Sequence, residues 1–128
     1  MNWYLKVLKE NYANFEGRAR RKEYWMFTLF NLLAIIILAS LMSVFAAMEI
    51  EALSMVFGIL YMIYALGVLI PGIAVAVRRL HDTGKSGWMI LIGLIPLIGG
   101  IWLLVLYLTE GDTGDNEYGP DPKLQPEP

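Results

Sequence analysis

Apolar residues dominate three long stretches of the chain, 26–48, 52–77 and 87–108, with polar residues gathered outside them. The first stretch has only Thr28, Asn31, Ser40 and Ser43 as polar positions. As a helix it reaches about 34 Å, enough to cross a hydrocarbon core of about 30 Å. Ala39, Ser43 and Ala47 recur at every fourth position, a small-residue face that lets another helix approach closely. Glu49 and Glu51 mark a very short loop. The second stretch has Ser54 and Gly58 on a similar face, and Pro71-Gly72 should kink its last turns before it stops at Arg78-Arg79. The third opens at Trp88 and closes near Tyr107, with Pro96 and Gly99-Gly100 breaking its middle. The expected fold is all-α, with three transmembrane helices, the third broken near Pro96 and Gly99-Gly100.

The flanking segments follow different rules. A helix over 2–12 puts Trp3, Tyr4, Leu5, Val7, Leu8 and Tyr12 on one arc, and Asn2, Lys6, Lys9 and Glu10 on the other. Asn11 intrudes on the apolar arc. This is the pattern of an amphipathic helix lying in a membrane interface, with rings at headgroup depth and lysines reaching outward. A connector hinged at Gly17 carries Arg18, Arg20, Arg21 and Lys22. Residues 111–128 are rich in Gly, Pro and acids and read as a polar, partly disordered tail. One helical membrane domain therefore covers 1–110, with 111–128 appended to it. The N-terminal region lacks the pattern of a cleaved signal peptide and is expected to stay on the protein.

Composition supports a membrane setting. At 128 residues and 57% hydrophobic, the chain carries more apolar surface than a soluble domain of this size can bury. The net charge of -2 gives no support to nucleic-acid binding. Placement of charge is more informative. Of the ten Lys and Arg residues, all but Lys123 lie before the first stretch or between the second and third. Two crossings separate those places, so both fall on one side, which the positive-inside rule makes cytoplasmic. Three full crossings would send the tail to the opposite side. A re-entrant hairpin at Pro96–Gly100 would return it.

Two motifs, Phe15-Glu16-Gly17-Arg18-Ala19-Arg20-Arg21-Lys22-Glu23-Tyr24-Trp25 and Arg78-Arg79-Leu80-His81-Asp82-Thr83-Gly84-Lys85-Ser86-Gly87-Trp88, precede Ile95-Pro96 and a tail, 111–122, that ends Asn116-Glu117-Tyr118-Gly119-Pro120-Asp121-Pro122. In this order they closely resemble the YhaH-type bacterial inner-membrane family, over nearly the whole chain. Met89 departs from the family's frequent second aromatic after Trp88. The resemblance implies a bacterial cytoplasmic membrane and a helical transmembrane fold. It implies no activity, since none is established for the family.

The candidate contacts for lipid headgroups or other anions are Arg18, Arg20, Arg21 and Lys22 in the connector, and Arg78, Arg79, His81 and Lys85 in the second cluster. Each basic residue near an anionic membrane surface is worth about 1 kcal/mol. Glu16 or Glu23 could instead pair with the connector arginines. Trp3, Tyr24, Trp25 and Trp88 are the candidate interfacial aromatics, the last three expected in one belt with cation–π contacts to arginine. His81 beside Asp82 suggests an acid–base pair, but chain neighbours rarely face each other and no nucleophile accompanies them. Thr83-Gly84-Lys85-Ser86 lacks the earlier glycine and strand of a phosphate loop. With one His, no Cys, and Asp112, Asp115 and Glu117 out of calcium-loop register, neither metal nor cofactor is expected. The apolar stretches hold no ionisable residue, and Asn31 is expected to hydrogen-bond across helices. These features favour a non-enzymatic membrane protein that binds anionic lipids, other membrane proteins or a second copy through a basic cytoplasmic face. A small oligomeric channel or exporter is the alternative, and an enzyme acting on lipid headgroups ranks last.

Overall fold

The computed structural model describes residues 2–128; Met1, where the helical domain is expected to begin, lies outside the described residues. The order is α1 (Asn2–Lys9), α2 (Arg21–Ala47), α3 (Glu51–Asp82), a 3-10 segment (Gly87–Leu94), α4 (Ile98–Leu108) and a 3-10 turn (Pro122–Leu124). Only α2 and α3 among the described helices are long and apolar enough to cross a membrane. Ile37, Val44, Met55, Ile63 and Leu66 are exposed along them. Apolar surface on that scale is the outer wall of a membrane protein, where lipid replaces water as the solvent.

The turn between α2 and α3 is set by backbone hydrogen bonds. Glu49 N–H donates to Ala46 O at 3.1 Å and Ile50 N–H to Phe45 O at 2.9 Å, with Glu49 in the left-handed region at φ 61°. This is the Schellman closure of a helix C-terminus, with Glu49 where glycine is usual. The helices then close on each other: Phe45 and Phe57 stack at 5.5 Å, and Ser54 Oγ donates to Met42 O at 3.0 Å. The same closure ends α3. Gly84 N–H donates to His81 O at 3.0 Å and Lys85 N–H to Leu80 O at 2.9 Å, with Gly84 at φ 74°. The Thr-Gly-Lys-Ser sequence is thus a helix cap.

Pro71 lies inside α3 and has no N–H to offer the Gly67 carbonyl one turn earlier. In an apolar setting that carbonyl needs another donor. Tyr12 supplies it, its hydroxyl donating to Gly67 O at 2.6 Å. Tyr12→Phe should therefore leave a carbonyl unsatisfied, at a cost of about 1–3 kcal/mol. Thermal unfolding in detergent is the check; an unchanged midpoint would show that water or lipid serves the carbonyl equally well.

α1 is shorter than 2–12 and turns its apolar face onto protein. Trp3 and Val7 are buried, Tyr4 stacks on Phe27 at 5.4 Å, and the hydroxyls of Tyr4 and Tyr64 hydrogen-bond at 2.6 Å. The expected bond of Asn31 across helices does not form: its Oδ1 is buried without a partner.

The third apolar stretch departs most from expectation. Eight residues of 3-10 helix reach about 16 Å and eleven of α-helix about the same, each roughly half the hydrocarbon thickness. Between them, Pro96 blocks helix continuation and holds Ile95 extended, at φ -80° and ψ 118°. Leu97 then adopts φ 64° and ψ -61°, and Ile98 N–H donates to Pro96 O at 2.7 Å, a γ-turn of the strained hand. The two legs pack together, and Gly99 makes this possible, since a Cβ there would fall 1.7 Å from Ile92 O. The stretch folds back as a hairpin of two short helical legs, in place of the third crossing expected. The 111–128 tail returns to the end of the molecule that holds the Arg78–Ser86 loop.

Candidate functional site

At that end, the connector, the last turn of α3, the end of α4 and the tail meet around Asp82. Arg79 and Asp82 lie three positions apart on one helix face, so their side chains can meet. Arg79 Nη1 donates to Asp82 Oδ2 at 2.7 Å and Arg18 Nε to Oδ1 at 3.0 Å. The three side chains are at most 1% exposed. Arg78 Nη1 forms a second buried pair with Glu23 Oε1 at 2.8 Å. The acid that pairs from the start of α2 is therefore Glu23, but with α3 rather than with the connector; Glu16 is exposed.

Most of the remaining guanidinium donors hold backbone, whereas Arg78 Nη2 is buried without a partner. Arg79 donates to the carbonyls of Tyr107 and Thr109, while Arg21 donates to Leu108 O at 3.2 Å and Trp25 Nε1 to Tyr107 O at 3.2 Å. These acceptors lie at the C-terminus of α4, where carbonyls lack helical partners and cations suit the dipole. Arg18 donates to the carbonyls of Asp112, Gly114 and Gly119. Asp112 N–H returns a bond to Asp82 O at 2.6 Å. The first part of the tail is thus ordered by Arg18, which corrects the expectation of partial disorder there. Asp121 closes its turn by accepting from the N–H groups of Gly114 and Lys123, which hold its carboxyl below the usual carboxylate range. Glu110 is likewise lowered, by its hydrogen bond from Lys123.

His81 and Asp82 do not form a dyad. The Asp82 oxygens face arginines, while His81 Nδ1 lies 2.9 Å from Gly17 O. A carbonyl can only accept, so Nδ1 carries the proton. The imidazole stacks on Tyr118 at 4.0 Å and 1°, and Asn116 Nδ2 donates to His81 O at 2.9 Å.

The candidate anion contacts therefore divide. Arg18, Arg78, Arg79 and His81 are buried and engaged internally, which corrects their assignment as free headgroup contacts. Arg21, Lys22 and Lys85 are exposed and Arg20 half-buried. Arg20 and Lys22 gather over one ring: their charged ends and that of Lys6 lie 5.5, 5.8 and 5.4 Å from the Trp3 centroid. The cation–π contacts thus fall on Trp3, not on Tyr24, Trp25 or Trp88. Tyr24 packs on Trp25 and Tyr107, with centroids 5.1 and 4.5 Å away, whereas Trp88 stands apart and is 79% exposed.

The exposed apolar helices and the polar cluster at one end define a small integral membrane protein whose polar end is locked by internal ion pairs. The chain belongs to the family described as protein of unknown function (DUF805), which matches residues 12–120. It is 48% identical to the inner membrane protein YhaI of Escherichia coli (strain K12), over 97% of this chain and 98% of that one. It is also 48% identical to the inner membrane protein YhaH of the same strain, over 98% of this chain and all of the other. A more distant relative, the uncharacterized protein YiiR of that strain, is 27% identical over 84% of this chain and 85% of its own length. No solved structure matches the chain.

Proposed function

We propose that this protein is a non-enzymatic inner-membrane component that binds anionic lipid headgroups through a basic cytoplasmic face. Its exposed apolar helices remain available to other membrane proteins or a second copy. The observation that carries the reading is the set of cations left outside the buried pairs. Four of the predicted contacts are buried in the lock, yet Lys6, Arg20 and Lys22 each still lie within 5.8 Å of the Trp3 ring centroid. α1, its apolar face already packed on α2 and α3, would present Lys6 and Lys9 at headgroup level there. The opposite turn carries Glu49 and Glu51 and no cation. The positive-inside rule therefore puts the N-terminus, the Arg78–Ser86 loop and the tail in the cytoplasm.

The test is lipid retention. The protein and a Lys6→Gln, Arg20→Gln, Lys22→Gln variant are purified from the same bacterial membranes, and the bound lipids are quantified. The wild type should be enriched in phosphatidylglycerol and cardiolipin over phosphatidylethanolamine, and the variant should lose most of that enrichment. About 1 kcal/mol per basic residue corresponds to roughly fivefold each. Equal enrichment in a folded variant would refute the reading.

A further inference from the structure

The rim around Trp3 already holds an anion. Glu127 lies 3.5 Å from Arg20 Nη1 and 3.2 Å from Lys22 Nζ, between two of the three cations over the ring. Beneath it is a cleft of about 190 Å³ lined by Trp3, Lys6, Arg18, Arg20, Glu23 and Pro126, among others. Glu23 is neutralised by Arg78, and the buried charges behind the cleft balance, with Arg18, Arg78 and Arg79 against Glu23, Asp82 and Asp121. The charge of the cleft is therefore set by the cations outside that cluster, Lys6, Arg20 and Lys22, and Glu127 is the acid that answers two of them.

The tail's two parts are held unequally. Residues 112–119 are bound by the buried Arg18. Residues 125–128 are held by the Glu127 pairs and an Asn2 Nδ2 bond to Pro128 O at 3.4 Å, with Glu127 half exposed. Exposed ion pairs of this kind exchange readily with solvent and other anions.

We propose that the cleft beside Trp3 is a binding site for a phosphate group and that Glu127, paired with Arg20 of its lining and with the neighbouring Lys22, is its displaceable internal plug. This rests on the reading above and names its site and its regulation. A phosphate can meet Lys6 and Arg20 of the lining and the neighbouring Lys22, and Arg20 can bind it with two parallel hydrogen bonds. When phosphate enters, the 125–128 segment lifts while Arg18 keeps 112–119 in place. The lifted segment then exposes Glu127, so occupancy of the site is legible on the surface of the protein.

Titration calorimetry on the full chain in neutral detergent tests this, with soluble dihexanoyl phosphatidylglycerol and inorganic phosphate as probes. Glu127→Gln removes the competitor and should tighten binding of the lipid probe about threefold to fivefold, the range expected for exposed pairs. Adding Arg20→Gln and Lys22→Gln should abolish that gain. A gain for the lipid alone identifies a headgroup site, and an equal gain for inorganic phosphate identifies a free-phosphate site; either supports the proposal. Equal binding by wild type and Glu127→Gln would overturn the plug. The lipid-binding reading would still stand if the Lys6, Arg20 and Lys22 variant binds more weakly than both.

Discussion

Replacing Asp82 by asparagine is expected to destabilise the folded protein by about 3–5 kcal/mol and to free the tail. The carboxylate answers two guanidiniums, Arg18 and Arg79, in a site where none of the three side chains is more than 1% exposed. Asparagine keeps the shape and removes the charge, leaving two buried cations uncompensated. Each arginine also holds distant backbone, Arg79 at the end of α4 and Arg18 in the tail. Loss of their common anchor should loosen both elements together. Thermal unfolding in detergent should show the lower midpoint, and limited proteolysis should show new cleavage within 111–121. An unchanged midpoint with an intact tail would mean that the backbone acceptors alone sustain the lock.

Gly99→Ala is expected to open the hairpin, whereas Gly100→Ala is not. The added Cβ at residue 99 would stand 1.7 Å from Ile92 O, a backbone atom on the opposing leg. No side-chain rotation relieves that contact, so the legs must separate. Overpacking of this kind costs typically 1–3 kcal/mol even where side chains can adjust. A Cβ at residue 100 meets nothing within 4 Å, and alanine there should gain up to about 1 kcal/mol of helix propensity. Unfolding midpoints of the two variants, measured side by side, should move in opposite directions. Parallel behaviour would show that the close approach at Gly99 does not hold the legs together.

These effects indicate how much the chain's pattern discloses. The two spans are readable because an apolar run of sufficient length has one stable form in lipid. Their helices continue past the apolar limits, to Arg21 and Asp82, since the basic positions that end the hydrophobic pattern are good helix formers. The third stretch is long enough to cross by the same criterion, and Pro96 and Gly99-Gly100 announce a break without its angle. Its direction is decided by Arg79, Arg21 and Trp25 gripping α4 carbonyls, and backbone acceptors leave no trace in residue type. The basic clusters mislead for a related reason. Topology requires only that they lie on one side, which hides the fact that Arg18, Arg78 and Arg79 are consumed inside. The available signal was Asp82, the single acid in the 78–86 loop and three positions from Arg79 on one helix face.

The same-end placement of the tail is the claim on which the lock and the plug both depend. The chain has no cysteine, so single cysteines report cleanly. Lys85→Cys, Thr113→Cys and Glu51→Cys, each at an exposed position, can be labelled with an impermeant maleimide in right-side-out and inverted membrane vesicles. The hairpin predicts that Lys85→Cys and Thr113→Cys label from one side and Glu51→Cys from the other. Labelling of Thr113→Cys from the side of Glu51→Cys would mean that 87–108 crosses fully, and would contradict the structure described above.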